Sequence, residues 1–364
     1  MTSSISNLDL KQKIGQLFSI GIAGPEIDGS TEALLREIQP VGVCLFARNV
    51  REISQVRDLC EGLREIQINP IISIDQEGGT VDRLRRIVTP MAAAGQVSSV
   101  EKAEQMGRLI GELLRILGVN MDFAPVVDVV DEVRSGASNG LFTRPFGRSK
   151  EAVVELAGGF LSGLESQGIV GCLKHFPGLG AAKVDSHNEL PYIELSDSEL
   201  SDVDLYPYLE LLPKHNAAVM VAHAAYTGVS LQEKAQNGTL LPSSLSSSVI
   251  SGLLREKVGF DGLVFTDDLE MGAILRNFGI GDACRMAFLA GVDALCICAD
   301  PTNIRKGYEA IENAIASGEI STMRLNMSLS RIAGVKADLA EPLPFDEARI
   351  NELSDEIVAF NGSL

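Results

Sequence analysis

The stretch IVGCLKHFPGLGAAKVDSHNELP, residues 169–191, holds the pattern from which the rest of the chain is read. It opens on an apolar run, 169–173, with no polar–apolar alternation, as in a strand buried on both faces of a parallel sheet. Lys174 and His175 follow at once. Pro177, Gly178 and Gly180 then break regular structure, and Asp185, Ser186 and His187 form a second polar cluster before Pro191. Reactive side chains carried just past a buried strand are how α/β enzymes commonly build sites. A polar surface loop with a stray histidine is the plain alternative. Two of the chain's four histidines and a lysine around one Gly-Pro turn favour a site.

Further apolar runs occupy 17–22, 41–46, 71–74, 120–123, 217–222, 262–266 and 293–297. Helical candidates lie between them at 53–66, 100–117, 150–167, 243–257 and 303–316, and the serines of 243–248 offer N-cap chemistry after Pro242. Eight strands alternating with helices predict an α/β protein, a single (β/α)8 barrel, with an open doubly wound sheet as the alternative. Residues 1–335 are expected to form this catalytic domain. Residues 336–364, acidic and punctuated by proline, are expected to pack on the barrel as a C-terminal extension.

A hydrophobic content of 45% with 22% charged residues fits a globular protein. The net charge of −18 argues against nucleic acid or an anionic membrane as partner, since either needs a basic surface. The opening MTSSISNLDLKQK lacks the apolar core of a signal peptide, and no run approaches about 18 apolar residues. The expectation is a cytoplasmic protein, a monomer or weak oligomer. Cys44, Cys172, Cys296 and Cys298 sit in apolar runs and read as core packing. A Cys296–Cys298 metal pair would want a second pair at zinc spacing, and the sequence has none.

In a barrel the site lies at the carboxyl ends of the strands, so the polar groups just past each run are the candidates. They include Asp75 and Arg83, Asp122 and Asp128, Arg144 in the turn 140–147, Lys174, His175, Asp185, His187, His223, and Asp267 with Asp268. Together Asp75, Arg83, Arg144, Lys174, His175, Asp185, His187 and Asp267 supply donors and acceptors for a hydroxyl-rich ligand. Asp267, held behind the apolar run 263–265, suits a carboxylate nucleophile. The competing role is a helix cap, which Asp268 fills at least as well. Asp185 beside His187 would fix the imidazole tautomer and make an acid/base unit. With a third ligand from His175, His223 or Asp267, the same pair would instead hold a metal ion.

Lys174–Gly178, Asp185-Ser186-His187 and Leu190-Pro191 resemble the signature of the family-three glycoside hydrolases, in their bacterial β-N-acetylglucosaminidase branch. Ile74–Gly79, Met121–Pro125, Arg144-x-Phe146-Gly147 and Thr266–Leu269 with Met271 match as well, in the family's order, over about residues 8–335. The resemblance implies a (β/α)8 catalytic domain without the second α/β domain of larger relatives. It further implies a retaining exo-β-N-acetylhexosaminidase that uses no cofactor and no metal and takes N-acetylglucosamine from cell-wall or chitin fragments. Asp267 would be the nucleophile, and His187, paired with Asp185, the general acid/base. Asp75, Arg83, Arg144, Lys174 and His175 would bind the sugar hydroxyls. A β-glucosidase or a phosphorolytic relative are the nearest alternatives. A metal-dependent hydrolase and a non-catalytic sugar-binding barrel stand further off. Two departures are visible: Leu179 stands where the family usually has histidine, and Pro145 where serine is commoner.

Overall fold

The computed structural model describes residues 7–136, 139–235 and 237–364. Its eight parallel strands are Phe18–Gly21 (β1), Gly42–Leu45 (β2), Ile71–Ile74 (β3), Met121–Asp122 (β4), Val170–Phe176 (β5), Ala218–Val221 (β6), Val264–Thr266 (β7) and Leu295–Ile297 (β8). Each pairs with its sequence neighbour from β1 to β7, and β8 pairs with β1 in the register Phe18↔Leu295. The ring closes between β7 and β8, where Phe265 bridges to Ala294 and the Asp293 N–H donates to the Val264 carbonyl at 3.0 Å. The fold is a (β/α)8 barrel, as the alternation of apolar runs and helices predicts, and not an open sheet.

The strands do not alternate in sequence because both of their faces are covered. Every residue of β1, β2, β3, β5 and β6 is buried. The outer layer comprises Gly29–Ile38 (α1), Ile53–Ile66 (α2), Val100–Leu117 (α3), Lys150–Ser166 (α4), Tyr206–Leu211 (α5), Ser248–Lys257 (α6), Ile280–Ala290 (α7) and Pro301–Ala316 (α8). Two further helices, Thr322–Asp338 (α9) and Glu347–Asn361 (α10), follow the last barrel helix. Arg349 of α10 grips Glu112 of α3 through two hydrogen bonds of 2.7 and 3.0 Å. Among the described residues no helix is long and apolar enough to cross a membrane.

Two elements differ from the sequence reading. The helix expected over 243–257 is interrupted: Ser243–Leu245 makes a single 3-10 turn and the longer helix begins at Ser248. The cause is Glu233, whose carboxylate accepts from the Ser246 and Ser247 hydroxyls and the Ser248 N–H, so it caps α6 from a distant loop. The second difference is β5, which runs three residues past 173 and includes Lys174 and His175. The pairing with β6 slips between Lys174 and Phe176. Such an irregularity re-aims side chains that strict alternation would send to opposite faces, and here Lys174 and His175 both line the same cavity.

Candidate active site

A cavity of about 340 Å³ opens at the carboxyl ends of the strands. Its lining brings together Asp75 past β3, Lys174 and His175 of β5, Asp267 past β7, and the loop residues Arg83, Arg144, Asp185 and His187.

One wall is a chain of alternating charges. Arg83 donates to Asp75 at 3.0 Å, and Lys174 reaches both Asp75 and Glu77 at 2.7 Å. Arg144 binds Glu77 with two hydrogen bonds of 2.8 and 2.9 Å. Three cations thus share two carboxylates, and the side chains of Lys174 and Glu77 are each only 2% exposed. Burial would raise the Glu77 carboxyl, but Arg144 and then Lys174 hold it down at about 2. Burial would equally raise Asp75, and Lys174 with Arg83 keep it far below the usual carboxylate range. For Lys174 the balance runs the other way: desolvation disfavours its charge, and the two carboxylates more than restore it. The wall stays charged throughout and presents fixed donors to a ligand.

Asp267 follows β7 directly. Its N–H donates to the Val221 carbonyl of β6 and its Oδ1 accepts the Asp268 N–H at 2.8 Å. Burial would raise this carboxyl, yet the imidazoles of His175 and His223, with the Asp268 amide, hold it below the ordinary value. Asp268 caps no regular helix. Its carboxylate accepts from Glu270 at 3.0 Å and Cys298 at 3.3 Å, closing a turn, and burial pushes its pKa up to about 7.

Each histidine around Asp267 has a defined partner. His175 Nδ1 lies 2.7 Å from Asp128, whose other oxygen accepts the Leu179 N–H at 2.6 Å. The buried His223 meets the Asp268 carbonyl through Nε2 and Ser244 through Nδ1. A carbonyl only accepts, so Nε2 carries the proton, and burial holds His223 below its usual pKa. His187 Nδ1 lies 2.7 Å from Asp185 Oδ1, with the His187 side chain 68% exposed at the cavity mouth.

The loop carrying that pair is docked, not loose. The Gly272 N–H donates to the His187 carbonyl at 3.1 Å and the Ala273 N–H to the Ser186 carbonyl at 3.2 Å. A Cβ at Gly272 would stand 2.5 Å from the Asn188 carbonyl oxygen, and one at Gly140 would stand 2.6 Å from Asp185 Oδ2. Glycine at both positions lets the loop close over the cavity. Among the described residues, no group of three or more His, Cys, Asp or Glu side chains is arranged to hold a metal ion.

A sequence profile described as the glycosyl hydrolase family 3 N-terminal domain matches residues 9–335. The chain belongs to glycoside hydrolase family 3. A protein of Pseudomonas aeruginosa named beta-hexosaminidase is 33% identical over 301 residues, spanning 80% of this chain and 85% of that one. The structure of a family 3 beta-N-acetylglucosaminidase from Paenibacillus sp. superposes with a TM-score of 0.87 at 33% identity, covering 97% of this chain and 69% of the other. A family 3 glycosyl hydrolase from Mycobacterium smegmatis matches at 0.81 and 32% identity, covering 93% of this chain and all of its own.

All eight residues singled out from the sequence of this family 3 chain line the one cavity. Glu77 is not among them, and Asp128, a candidate past β4, stands outside the eight without its partner being foreseen; both bind residues that line the cavity. Glu77 is two residues past Asp75 in an extended segment, so period-two alternation was a signal for it. Asp128 pairs with a histidine 47 residues away, which no local pattern carries. The thiols of Cys44, Cys296 and Cys298 lie in strand-like runs as expected, but they also line the cavity with Phe46, Phe123 and Met271. Leu179 keeps the Asp128 contact through its backbone and buries its side chain in the core, so this contact does not require histidine. Pro145 lacks a backbone donor, yet Arg144 holds Glu77 through its side chain alone.

Proposed function

We propose that this glycoside hydrolase is a retaining exo-β-N-acetylhexosaminidase that removes terminal β-linked N-acetylglucosamine from cell-wall or chitin-derived fragments. The observation that carries the reading is the Asp185–His187 hydrogen bond, docked at the mouth of a cavity that also holds Asp267. The names of the Pseudomonas and Paenibacillus relatives support the choice of sugar.

Asp75, Arg83, Arg144, Lys174 and His175 bind the hydroxyls of the terminal sugar. Asp267, ionised and fixed by the Asp268 amide, attacks the anomeric carbon. His187 gives its Nε2 proton to the departing glycosidic oxygen, while Asp185 holds Nδ1–H and steadies the imidazolium beforehand. A glycosyl ester on Asp267 results. Water then attacks the anomeric carbon as His187 takes its proton, the ester bond to Asp267 breaks, and the sugar leaves with retained configuration. Residues 1–335 form the catalytic unit, and 336–364 extend it. A cytosolic role in recycling wall fragments is supported by six unpaired, buried cysteines, which suit a reducing compartment.

The test is hydrolysis of p-nitrophenyl β-N-acetylglucosaminide beside the matching β-glucoside, with and without phosphate and with anomer-resolved NMR. Preference for the N-acetyl sugar with initial release of the β-anomer is expected. Inversion would overturn the mechanism, preference for glucoside the substrate, and a rate that depends on phosphate the assignment of water as acceptor.

A further inference from the structure

Helix α10 lies beyond the matched family region, which ends at residue 335, and its far end reaches the segment behind the charged wall. Asn361, its last residue, donates through Nδ2 to the Pro90 carbonyl at 2.9 Å and accepts the Ala92 N–H through Oδ1 at 3.0 Å. Two turns earlier, Ser354 Oγ accepts the Thr89 N–H at 2.9 Å. Residues 89–92 are therefore held along one edge by two side chains of α10.

Their other edge meets the hairpin 76–82. The Met91 N–H donates to Asp82 Oδ2 at 2.8 Å, and the Met91 carbonyl accepts the Gly79 N–H at 2.9 Å. Asp82 Oδ1 accepts from the Gln76 side chain at 2.9 Å, and Gln76 Oε1 accepts the Arg83 N–H at 3.0 Å. Arg83 binds Asp75, and Gln76 lies between Asp75 and Glu77. Hydrogen bonds and short stretches of backbone thus lead from Asn361 through Met91, Asp82 and Gln76 to Arg83 and Asp75 at one end of the charged wall, and to Glu77 as the residue that follows Gln76. The segment 83–93 has no regular secondary structure of its own, so contacts from outside must set its geometry.

We propose that Asn361 is a positioning residue for the sugar site: it holds residues 89–92, and through Met91, Asp82 and Gln76 it sets the placement of Arg83, Asp75 and Glu77. This rests on the reading of those side chains as sugar-binding. They act on the bound sugar and not on the bond that breaks, so loosening them weakens binding more than turnover.

The experiment compares wild type, Asn361→Ala and Asn361→Asp in the full chain. KM and kcat are measured on p-nitrophenyl β-N-acetylglucosaminide, with Ki for free N-acetylglucosamine and amide hydrogen exchange across 79–93. In Asn361→Ala, KM and Ki are expected to rise about tenfold while kcat stays within about threefold. Exchange in 79–93 should accelerate at an unchanged global unfolding midpoint. Asn361→Asp keeps the Ala92 acceptor and loses the Pro90 donor, so its KM should fall between the two. A folded Asn361→Ala with wild-type KM, Ki and exchange overturns the proposal, as does a loss of kcat alone. If wild type itself neither cleaves nor binds N-acetylglucosaminides, the functional reading has failed, and the exchange result alone then decides whether Asn361 holds the segment.

Discussion

Asp185 Oδ1 accepts two hydrogen bonds from His187, one from the ring Nδ1 at 2.7 Å and one from the backbone N–H at 2.9 Å. The same oxygen therefore orients the imidazole and fixes the turn that carries it. His187→Ala should separate substrates by their need for a proton. We expect a loss of about 10²–10⁴-fold on disaccharides and a much smaller one on nitrophenyl glycosides, whose leaving group departs as the anion. Steady-state rates on both substrates check this, and equal losses would sink the acid/base role.

Asp267→Ala should lower kcat by more than about 10³-fold with little change in the unfolding midpoint, because it removes the group that forms the covalent intermediate. A variant that retains a tenth of wild-type turnover on the nitrophenyl substrate would move the nucleophile elsewhere.

Lys174→Met leaves Asp75 with Arg83 and Glu77 with Arg144 but strips the cation that both carboxylates share. Breaking a buried ion pair costs about 3–5 kcal/mol when its partners stay charged, and some of that should be recovered through Arg83 and Arg144. A fall in unfolding free energy of about 2–4 kcal/mol is expected in urea titrations at pH 7. An unchanged midpoint would mean that the wall does not depend on Lys174.

Gly272→Ala places a methyl 2.5 Å from the Asn188 carbonyl oxygen, where the Asp-Ser-His loop docks. The loop should lift, with a loss of about 10–100-fold in kcat and little effect on KM for the nitrophenyl sugar or on global stability. Wild-type kcat in this variant would show that docking at Gly272 is dispensable.

Asp122, at the end of β4, is buried with Oδ2 unpartnered, and desolvation raises its pKa to about 8. A carboxyl raised on folding binds protons that the unfolded chain has already lost between about pH 4 and 8, so its contribution to stability falls as pH rises through that window. Asp122→Asn keeps the acceptor for the Gln76 N–H and removes the titration. The variant should match wild type near pH 4 and gain on it with each pH unit above that, by about 5 kcal/mol at most by pH 8. Melting curves at the two pH values decide it, and parallel pH profiles would rule out Asp122 as the titrating group.

The barrel was legible because each strand is buried on both faces and therefore reads as an unbroken apolar run. The site was legible because its ionisable groups sit at the ends of those runs. What escaped was set by distance in sequence. Glu233 breaks the helix expected over 243–257, Asp128 partners His175, and the register slip of β5 turns Lys174 and His175 into one cavity. Each depends on a neighbour brought up by the closed barrel, and a linear pattern carries no such term. The cysteines show the same limit: an apolar environment and a place on the cavity wall look alike in a strand read alone.

Lys174 meets Asp75 across 99 residues of sequence, and Arg144 meets Glu77 across 67. A nascent chain holding only the first four strands already carries Asp75 beside Arg83, but its Glu77 has neither of the cations that neutralise it in the finished barrel. Docking of the fifth strand, with the loop before it, removes that unpaired charge. The complete ring is thereby favoured over a half-barrel by ion pairs that only the assembled ligand pocket contains.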